Sequence, residues 1–281
     1  MKIVKSGIDI HDPRFLAEVP TELTLFESIK NIDFEEFSLV NIAGEKMFHK
    51  MGGAAVQSLV DRLTEKKNKN YIIIFQHVWV DRFNWRGNIV FSPHVNACCP
   101  PNIKPIPHYP LNTVEVLKDA ERDILFSFVG AGHTHPVREK LIKRYSDSCI
   151  NSGEWLQSKT KDLFFDFMKR SKFSLCPRGT GVGTVRLFEC MAMRSVPVIL
   201  SDDYIPPLNW MLDWNEFSVS IEESKFDQVH DVLSAYSNEQ ISEMSEKAYD
   251  VWRRYFCPKN MHKVVEFEIE RIRRTHRRIQ R

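Results

Sequence analysis

The sequence has 281 residues, 43% of them hydrophobic, which is enough to bury the core of one large domain or two modest ones. Lysine and arginine (39) nearly balance aspartate and glutamate (37), so no overall charge marks a protein that coats nucleic acid. Six cysteines occur without a CxxC pair or Cys/His ligand spacing, so we predict free thiols in a reducing cytoplasm and no metal site.

The amino-terminal part of the chain predicts a βαβ pattern. It begins without the apolar core of a signal peptide, and no run in the sequence approaches the roughly 20 apolar residues of a membrane helix. A helix is predicted at 53–66, between the first two of three strands. The predicted strands lie at residues 38–42, 71–75 and 88–91. Residues 93–110 then carry six of the 14 prolines, which predicts an extended connection or a loop-rich domain edge.

The rest of the chain alternates short apolar runs with helices, which predicts a second parallel sheet covered on both faces. The predicted strands lie at residues 124–129, 173–176, 196–200 and 217–221, and the predicted helices at 136–145, 160–170 and 184–194. Ser237 and Gln240 form a capping box for a further helix, and Pro258 opens a last one. The final eleven residues contain six arginines, which is typical of a solvated helix end or of a surface for membranes or acidic partners.

A glycine loop separates the strand at 173–176 from the helix that begins near Thr184. Its glycines alternate along the chain, at Gly179, Gly181 and Gly183. A strand, a glycine loop and a helix N-terminus together present unpaired backbone N–H groups and the positive end of a helix dipole to an anion. Arg178 and Arg186 flank the loop, and a guanidinium can donate paired hydrogen bonds to phosphate oxygens. The loop therefore predicts a phosphate site.

Glu189 extends this prediction to a nucleotide. It lies three residues after Arg186 and hence on the same face of the helix. Its carboxylate can accept hydrogen bonds from the 2′- and 3′-hydroxyls of a ribose, so the set predicts a site for a nucleoside diphosphate. The alternative is a surface ion pair between these two residues.

Two other segments are predicted to reach the same site. Gly130 and Arg138 repeat the order of strand, glycine turn and helix, which predicts a second group of donors to the diphosphate, or else only tight packing. Asp202 follows the strand at 196–200, at the edge where open α/β sheets bind ligands. It is predicted either to bind sugar hydroxyls or to cap a turn.

These motifs resemble the donor half of the exostosin-like glycosyltransferases. The matching segments are residues 126–130 (FSFVG), 173–179 (FSLCPRG), 186–189 (RLFE), 196–199 (VPVI) and 217–219 (FSV). The resemblance covers residues 123–222 and is weak before residue 120.

The resemblance implies an α/β fold of the GT-B type, with two Rossmann-like domains whose parallel sheets face each other across a cleft and C-terminal helices that pack back. We predict an acceptor-side domain at residues 1–118, a donor domain at 119–256 and a basic C-terminal helix at 257–281. The resemblance also implies transfer with inversion and no obligatory metal. The only small molecule then required is the donor, a nucleoside diphosphate sugar.

An inverting transfer needs a base that removes a proton from the acceptor hydroxyl, and we predict that it comes from the amino-terminal domain. The candidates are His77 and Asp81, just after the predicted strand at 71–75, where ligands collect at a parallel sheet. Asp9, Asp12 and His49 are weaker candidates.

The predicted function is therefore transfer of a sugar from a nucleotide-sugar to a glycan or other hydroxyl acceptor, in surface polysaccharide or glycan synthesis. The expected place is the cytoplasm, with peripheral contact at the inner membrane surface through the basic end. One alternative is an NAD(P)-dependent oxidoreductase, although Thr184 stands where the dinucleotide-binding pattern has glycine or alanine. The other is a non-catalytic module that binds a glycan or a protein partner.

Overall fold

The computed structural model shows two α/β units in one chain. It describes residues 2–5, 10–11, 20–64, 70–118, 120–153 and 158–279. Unit 1 comprises Met1–Tyr109, Ile205–Leu208 and Pro258–Arg281, and unit 2 comprises Pro110–Tyr204 and Asn209–Cys257.

Unit 1 contains a five-stranded, fully parallel sheet with the strand order β1-β2-β3-β4-β5. The strands are β1 (Lys2–Lys5), β2 (Phe37–Asn41), β3 (Asn70–Ile74), β4 (Ile89–Ser92) and β5 (Ile103–Pro105). Every residue of β2 and β4 is buried, so both faces of the sheet are covered. Pro105 ends the edge strand, the position at which a sheet tolerates a residue without an N–H group.

Three helices of unit 1 lie between the first three strands in sequence. They are α1 (Pro20–Ile29), α2 (Gly44–Met51) and α3 (Gly53–Thr64). The sequence predicted α3 and missed both α1 and α2. The helix α2 is short, and just three of its eight residues are buried. Gly52 separates α2 from α3 with a φ of 78°, a left-handed conformation that favours glycine.

Unit 2 contains a second parallel sheet, with the strand order β7-β6-β8-β9-β10. The strands are β6 (Ile124–Gly130), β7 (Cys149–Asn151), β8 (Ser171–Pro177), β9 (Val196–Leu200) and β10 (Val219–Ser220). The chain leaves β6 toward β7 on one side, and from β8 it continues through β9 and β10 on the other. The loops that follow β6 and β8 therefore diverge, which makes this point the topological switch at which open α/β sheets bind ligands.

The helices of unit 2 follow the predicted alternation, with one short helix, α7, that the sequence did not predict. They are α4 (Pro136–Arg144), α5 (Ser158–Arg170), α6 (Arg186–Ala192), α7 (Val229–Ser234) and α8 (Asn238–Val251). The predicted capping box is present, since the Ser237 side chain accepts from the Gln240 N–H and the Gln240 side chain accepts from the Ser237 N–H. Alpha-helical geometry gives way to a π-helical turn at Trp252–Phe256.

The last helix, α9 (His262–Ile279), returns to unit 1 and packs against α1. It begins four residues after Pro258, which lies in the preceding turn rather than in the helix. Arg273 pairs with Glu36 at 3.2 Å, so part of the basic end is neutralised within the unit. Among the described helices, none has the length and apolar character needed to cross a membrane.

The predicted fold class is confirmed: the chain holds the two Rossmann-like units of a GT-B-like α/β protein, each with a parallel sheet and helices. The structure divides them at Tyr109/Pro110 and Cys257/Pro258, whereas the predicted boundaries were 118/119 and 256/257. The short segment Ile205–Leu208 also belongs to unit 1, where the Ile205 N–H donates to the Val95 carbonyl at 3.0 Å.

Candidate functional site

Arg138 joins the two loops that diverge at the switch point of unit 2. It lies in the first turn of α4, and its Nε and Nη2 donate to the carbonyls of Arg178 and Pro177 at 2.9 and 3.0 Å. Its Nη1 donates to the carbonyl of Ala131, after β6, at 3.3 Å. Burial, together with the charge of Arg186, lowers the pKa of Arg138 to about 9. The side chain thus fastens the loop after β8 to the loop after β6.

Two of the predicted glycines provide the room that the arginines occupy. A Cβ atom on Gly130 would lie 2.8 Å from Nη2 of Arg186, and one on Gly179 would lie 3.1 Å from Nη2 of Arg138. A side chain at position 130 would therefore displace the guanidinium of Arg186, and one at position 179 would make a tight contact with that of Arg138. The other two predicted glycines, Gly181 and Gly183, lie with Gly179 in the loop after β8.

Arg186, the first residue of α6, lies between two aromatic rings. Its guanidinium carbon is 4.6 Å from the ring centroid of Phe128 and 5.0 Å from that of Phe164, and Nη2 donates to the carbonyl of Val129. Burial lowers the pKa of Arg186, against the opposing effect of Cys176 and Glu189. Its Nε is buried, and none of the described residues accepts from it.

Arg178, directly after β8, also has a buried Nε atom without an acceptor in the described part of the chain. Its backbone N–H donates to the carbonyl of Leu200, at the end of β9, at 3.0 Å. Its side chain is 21% exposed and holds Nη1 4.0 Å from a carboxylate oxygen of Glu223.

Two hydroxyl groups after β9 are also buried without a hydrogen-bond partner among the described residues. They are Ser201 Oγ and Tyr204 Oη, and burial raises the pKa of Tyr204. A buried polar atom without a partner costs roughly 1–3 kcal/mol, so native structures contain few of them. Together with the two arginine Nε atoms, these hydroxyls follow the adjacent strands β8 and β9. They lie at the edge where open α/β sheets bind ligands, which makes them candidates for contacts with a ligand.

Glu189 is buried in α6, with 3% of its surface exposed. Its Oε1 accepts from the backbone N–H of Asn112 at 2.8 Å and from the side-chain amide of Asn112 at 3.1 Å. Burial raises the pKa of this carboxyl, although Arg186 and the hydrogen bonds from Asn112 favour its charged form. The described structure records no ion pair between Glu189 and Arg186. Glu189 therefore holds the segment that opens unit 2, and its role on a ribose stays a prediction.

The predicted helix start differs in detail from the structure. Thr184 lies before α6, and its carbonyl accepts from the Leu187 N–H at 3.3 Å, while the Phe188 N–H donates to Val185 at 3.0 Å. These amides of the seven-residue helix are already paired. The amides of Leu187 and Phe188 are therefore not free to bind an anion.

Asp202 is exposed and forms a reciprocal pair with Glu223. Its Oδ1 accepts from the Glu223 N–H at 2.8 Å, and its own N–H lies 3.4 Å from Glu223 Oε1. Glu223 also lies 3.7 Å from Nε2 of His135 and faces Arg178. Sequence reasoning missed Glu223, because nothing local marks a glutamate that reaches the site from 21 residues further along.

The predicted base candidates belong to unit 1. His77 is buried, its ring centroid lies 3.8 Å from that of Phe48, and its Nδ1 accepts from the Trp79 N–H at 3.2 Å. Burial, with the charges of His49 and Arg82, lowers the pKa of His77 to about 4. The ring is therefore neutral near pH 7 and a weak base.

Asp81 differs from His77 in being exposed, in the short turn Val80–Arg82. Its Oδ2 lies 3.4 Å from the side-chain amide of Asn96. Asp9 and Asp12 lie outside the described residues.

His77 also belongs to a cluster that the sequence analysis did not recognise. Glu45, His49 and His77 offer ligand atoms that all lie within 4.8 Å of one another. The cluster needs no cysteine, so cysteine spacing could not reveal it. The i,i+4 spacing of Glu45 and His49 was the available signal. The prediction of no metal stays untested.

Comparison with known proteins gives a family match. A sequence profile described as the Exostosin GT47 domain matches residues 65–236, more than half of the chain. The chain is 32% identical over 139 residues to "Probable glycosyltransferase At5g03795" of Arabidopsis thaliana, covering 49% of this chain and 26% of that protein. It is 32% identical over 117 residues to Exostosin-2 of Homo sapiens, covering 39% of this chain and 16% of that protein. The aligned segments thus span well under two thirds of these relatives.

The solved structures that resemble the chain are more distant in sequence. The crystal structure of TarM, an S. aureus protein, aligns with a TM-score of 0.44 and 14% identity, covering 88% of this chain and 57% of that one. A TM-score in this range supports no inference about function.

Proposed function

Because the chain belongs to the exostosin GT47 family, we propose that it is a glycosyltransferase that moves a sugar from a nucleotide-sugar donor to a hydroxyl group of a glycan or another acceptor. The observation that carries the proposal is the pair of buried arginine Nε atoms, on Arg178 and Arg186, that lack an acceptor among the described residues. They lie on the loop and helix that follow β8 at the switch point of unit 2, where open α/β sheets bind ligands. The printed name of one relative, "Probable glycosyltransferase At5g03795", supports the same function.

The arginines would have two different tasks. Arg178 and Arg186 donate to the diphosphate, and stabilise the negative charge that develops on it as the sugar departs. Arg138 is a positioning residue, since its donors are engaged by three backbone carbonyls. The guanidinium groups are sufficient in charge for a diphosphate, so this site requires no metal ion.

Glu189 and the hydroxyls of Ser201 and Tyr204 would bind the rest of the donor. Asn112 already donates two hydrogen bonds to Oε1 of Glu189. To bind a ribose, Glu189 would therefore have to accept through its other oxygen, Oε2, or lose the hydrogen bonds from Asn112. Ser201 and Tyr204 carry hydroxyls that lack partners, and these can pair with hydroxyls of a sugar. Asp202 is exposed and accessible to the same ligand.

We further propose that transfer occurs with inversion, assisted by a base from unit 1. The exposed carboxylate of Asp81 suits this role better than His77, whose ring is buried and whose pKa is about 4.

The proposal is tested by thermal unfolding of the full chain in the presence of UDP-, GDP-, ADP-, CMP- and dTDP-sugars. A ligand that binds only the folded state raises the unfolding temperature by mass action, so we expect one nucleotide class to stabilise the protein. Arg178→Ala should weaken that binding by about tenfold or more, which corresponds to a lost charge-assisted hydrogen bond. Arg144→Ala removes an exposed arginine of the same unit and should leave binding unchanged.

Stabilisation by none of the five classes would favour the non-catalytic binding module. Equal affinity in Arg178→Ala and the wild type would remove the arginine from the site even if a nucleotide binds. Fluorescence quenching of a reduced nicotinamide cofactor on mixing would favour the oxidoreductase instead.

A further inference from the structure

A second cluster of chemically active side chains lies in unit 1, apart from the arginines that carry the proposed function. Glu45 and His49 lie one turn apart on α2, with Glu45 Oε1 3.0 Å from His49 Nε2. His77 follows β3 by three residues. One ligand atom of each residue lies within 4.8 Å of the others.

We propose that Glu45, His49 and His77 bind one divalent transition-metal ion of the zinc type. Two imidazoles and a carboxylate are a ligand set that Zn²⁺ uses in sites that keep an open fourth position. Mg²⁺ and Ca²⁺ prefer oxygen ligands and would not select this set.

The spacing of the ligands is close to what such an ion requires. With bonds of about 2.0–2.2 Å in a tetrahedral site, neighbouring ligand atoms lie roughly 3.3–3.6 Å apart. The contact between Glu45 and His49 is already this close, and the ring centroids of His49 and His77 are 5.4 Å apart. Because the three ligand atoms lie within 4.8 Å of one another, the widest pair would have to close by no more than roughly 1.5 Å.

The backbones that carry the ligands are fixed relative to each other by a buried carboxyl group. Oε1 of Glu22 accepts from the Glu45 N–H at 3.1 Å and from the Gln76 N–H at 2.9 Å. Glu22 has no exposed surface. It therefore positions the start of α2 against the segment that carries His77, as supporting residues do around metal ligands.

The cluster also contains a carboxylate oxygen that lacks a hydrogen-bond partner in the described structure, and one of its side chains is exposed to solvent. Oε2 of Glu45 is buried and accepts no hydrogen bond from the described residues. The His49 side chain is 54% exposed, whereas His77 is 5% exposed, so the cluster extends from the surface into the unit. Coordination by Oε2, in place of the Oε1 that contacts His49, would give the unpaired oxygen a partner, and the exposed His49 lies on the solvent side of the cluster.

In its neutral form, the imidazole of His77 has one ring nitrogen with a free lone pair. Nδ1 holds the Trp79 N–H at 3.2 Å, which is a long hydrogen bond. A metal ion competes with this amide for the lone pair. Phe48 packs on the ring with centroids 3.8 Å apart and holds it in place.

The test is calorimetric titration of the full chain with Zn²⁺ after treatment with EDTA and its removal. We expect one ion per chain and, in His49→Gln, an affinity reduced at least roughly tenfold, since loss of a ligand should cost no less than loss of a residue that supports one. His49 is exposed on a helix that glutamine also favours, so the variant should keep its fold. Cys98→Ser and His230→Gln remove an exposed thiol and an exposed imidazole elsewhere, and both should bind like the wild type.

Titration with Co²⁺ gives a second readout that does not depend on activity. Tetrahedral nitrogen and oxygen coordination should produce visible absorption bands in the wild type that are absent from His49→Gln. The proposal is overturned if Zn²⁺ shows no saturable binding of one equivalent, if His49→Gln binds as tightly as the wild type, or if binding is lost in Cys98→Ser.

Discussion

At the scale of single residues, Arg138 holds two loops together through one guanidinium group. It donates to three carbonyls on two loops and lies over the backbone of Gly179. A lysine would keep the charge but would donate to only some of these three carbonyls, because its ammonium lacks the planar fork of a guanidinium.

We therefore expect Arg138→Lys to lower the unfolding free energy by at least about 2 kcal/mol, since buried carbonyls lose their donor at roughly 1–3 kcal/mol each. Urea denaturation measures this loss. The matched control is Arg144→Lys, at the exposed end of α4, which should change little. Equal stability of the two variants would contradict the positioning role of Arg138.

His108 makes the stability of unit 1 depend on pH. It is buried, and burial lowers its pKa to about 3. An unfolded histidine has a pKa of about 6.5, so below that pH His108 binds a proton in the unfolded chain but not in the folded chain. The stability associated with the neutral ring is complete above pH 6.5 and is lost as the pH falls toward the folded pKa.

We expect the unfolding free energy of the wild type, relative to His108→Gln, to fall by up to about 1.4 kcal/mol for each pH unit below 6.5. Comparing the two proteins cancels the other titrating groups that they share. Urea denaturation at several values between pH 7 and pH 4 would show the effect. A difference independent of pH would mean that His108 accepts a proton in the folded state.

At the scale of helices and strands, local sequence was sufficient where an element carries its own signals. The capping box of α8, the strand β9 and the glycine turn before α4 were all predicted, because caps, buried apolar runs and glycines act within a few residues. The short elements β1, α2, β5 and β7 were missed. Each has three to eight residues and is held by its neighbours in the sheet or unit rather than by a pattern of its own.

The cap of α8 offers a test that separates stability from binding. Ser237→Ala removes an acceptor for the Gln240 N–H, and should lower the unfolding free energy by about 1 kcal/mol. Because the cap is not part of the candidate donor site, nucleotide affinity should stay at the wild-type value. A loss of affinity in this variant would show that any destabilisation of unit 2 reduces binding, and would weaken conclusions drawn from Arg178→Ala.

At the scale of the whole molecule, the alternation of strands and helices predicted two parallel sheets, and the loop motifs predicted Arg178 and Arg186. Glu223, which faces Arg178, and Asn112, which donates to Glu189, were beyond the reach of sequence patterns, because both approach these residues only through the fold. The same holds for the return of Ile205–Leu208 and of α9 to unit 1, which no local pattern encodes.

The central claim is that the arginines of unit 2 hold the diphosphate of a nucleotide-sugar. A crystal structure of the full chain, with the stabilising nucleotide bound, tests it most directly. We expect phosphate oxygens about 2.7–3.2 Å from the Nε atoms of Arg178 and Arg186, the ordinary hydrogen-bond range. A nucleotide bound away from both side chains, with their Nε atoms still unpaired, would contradict it.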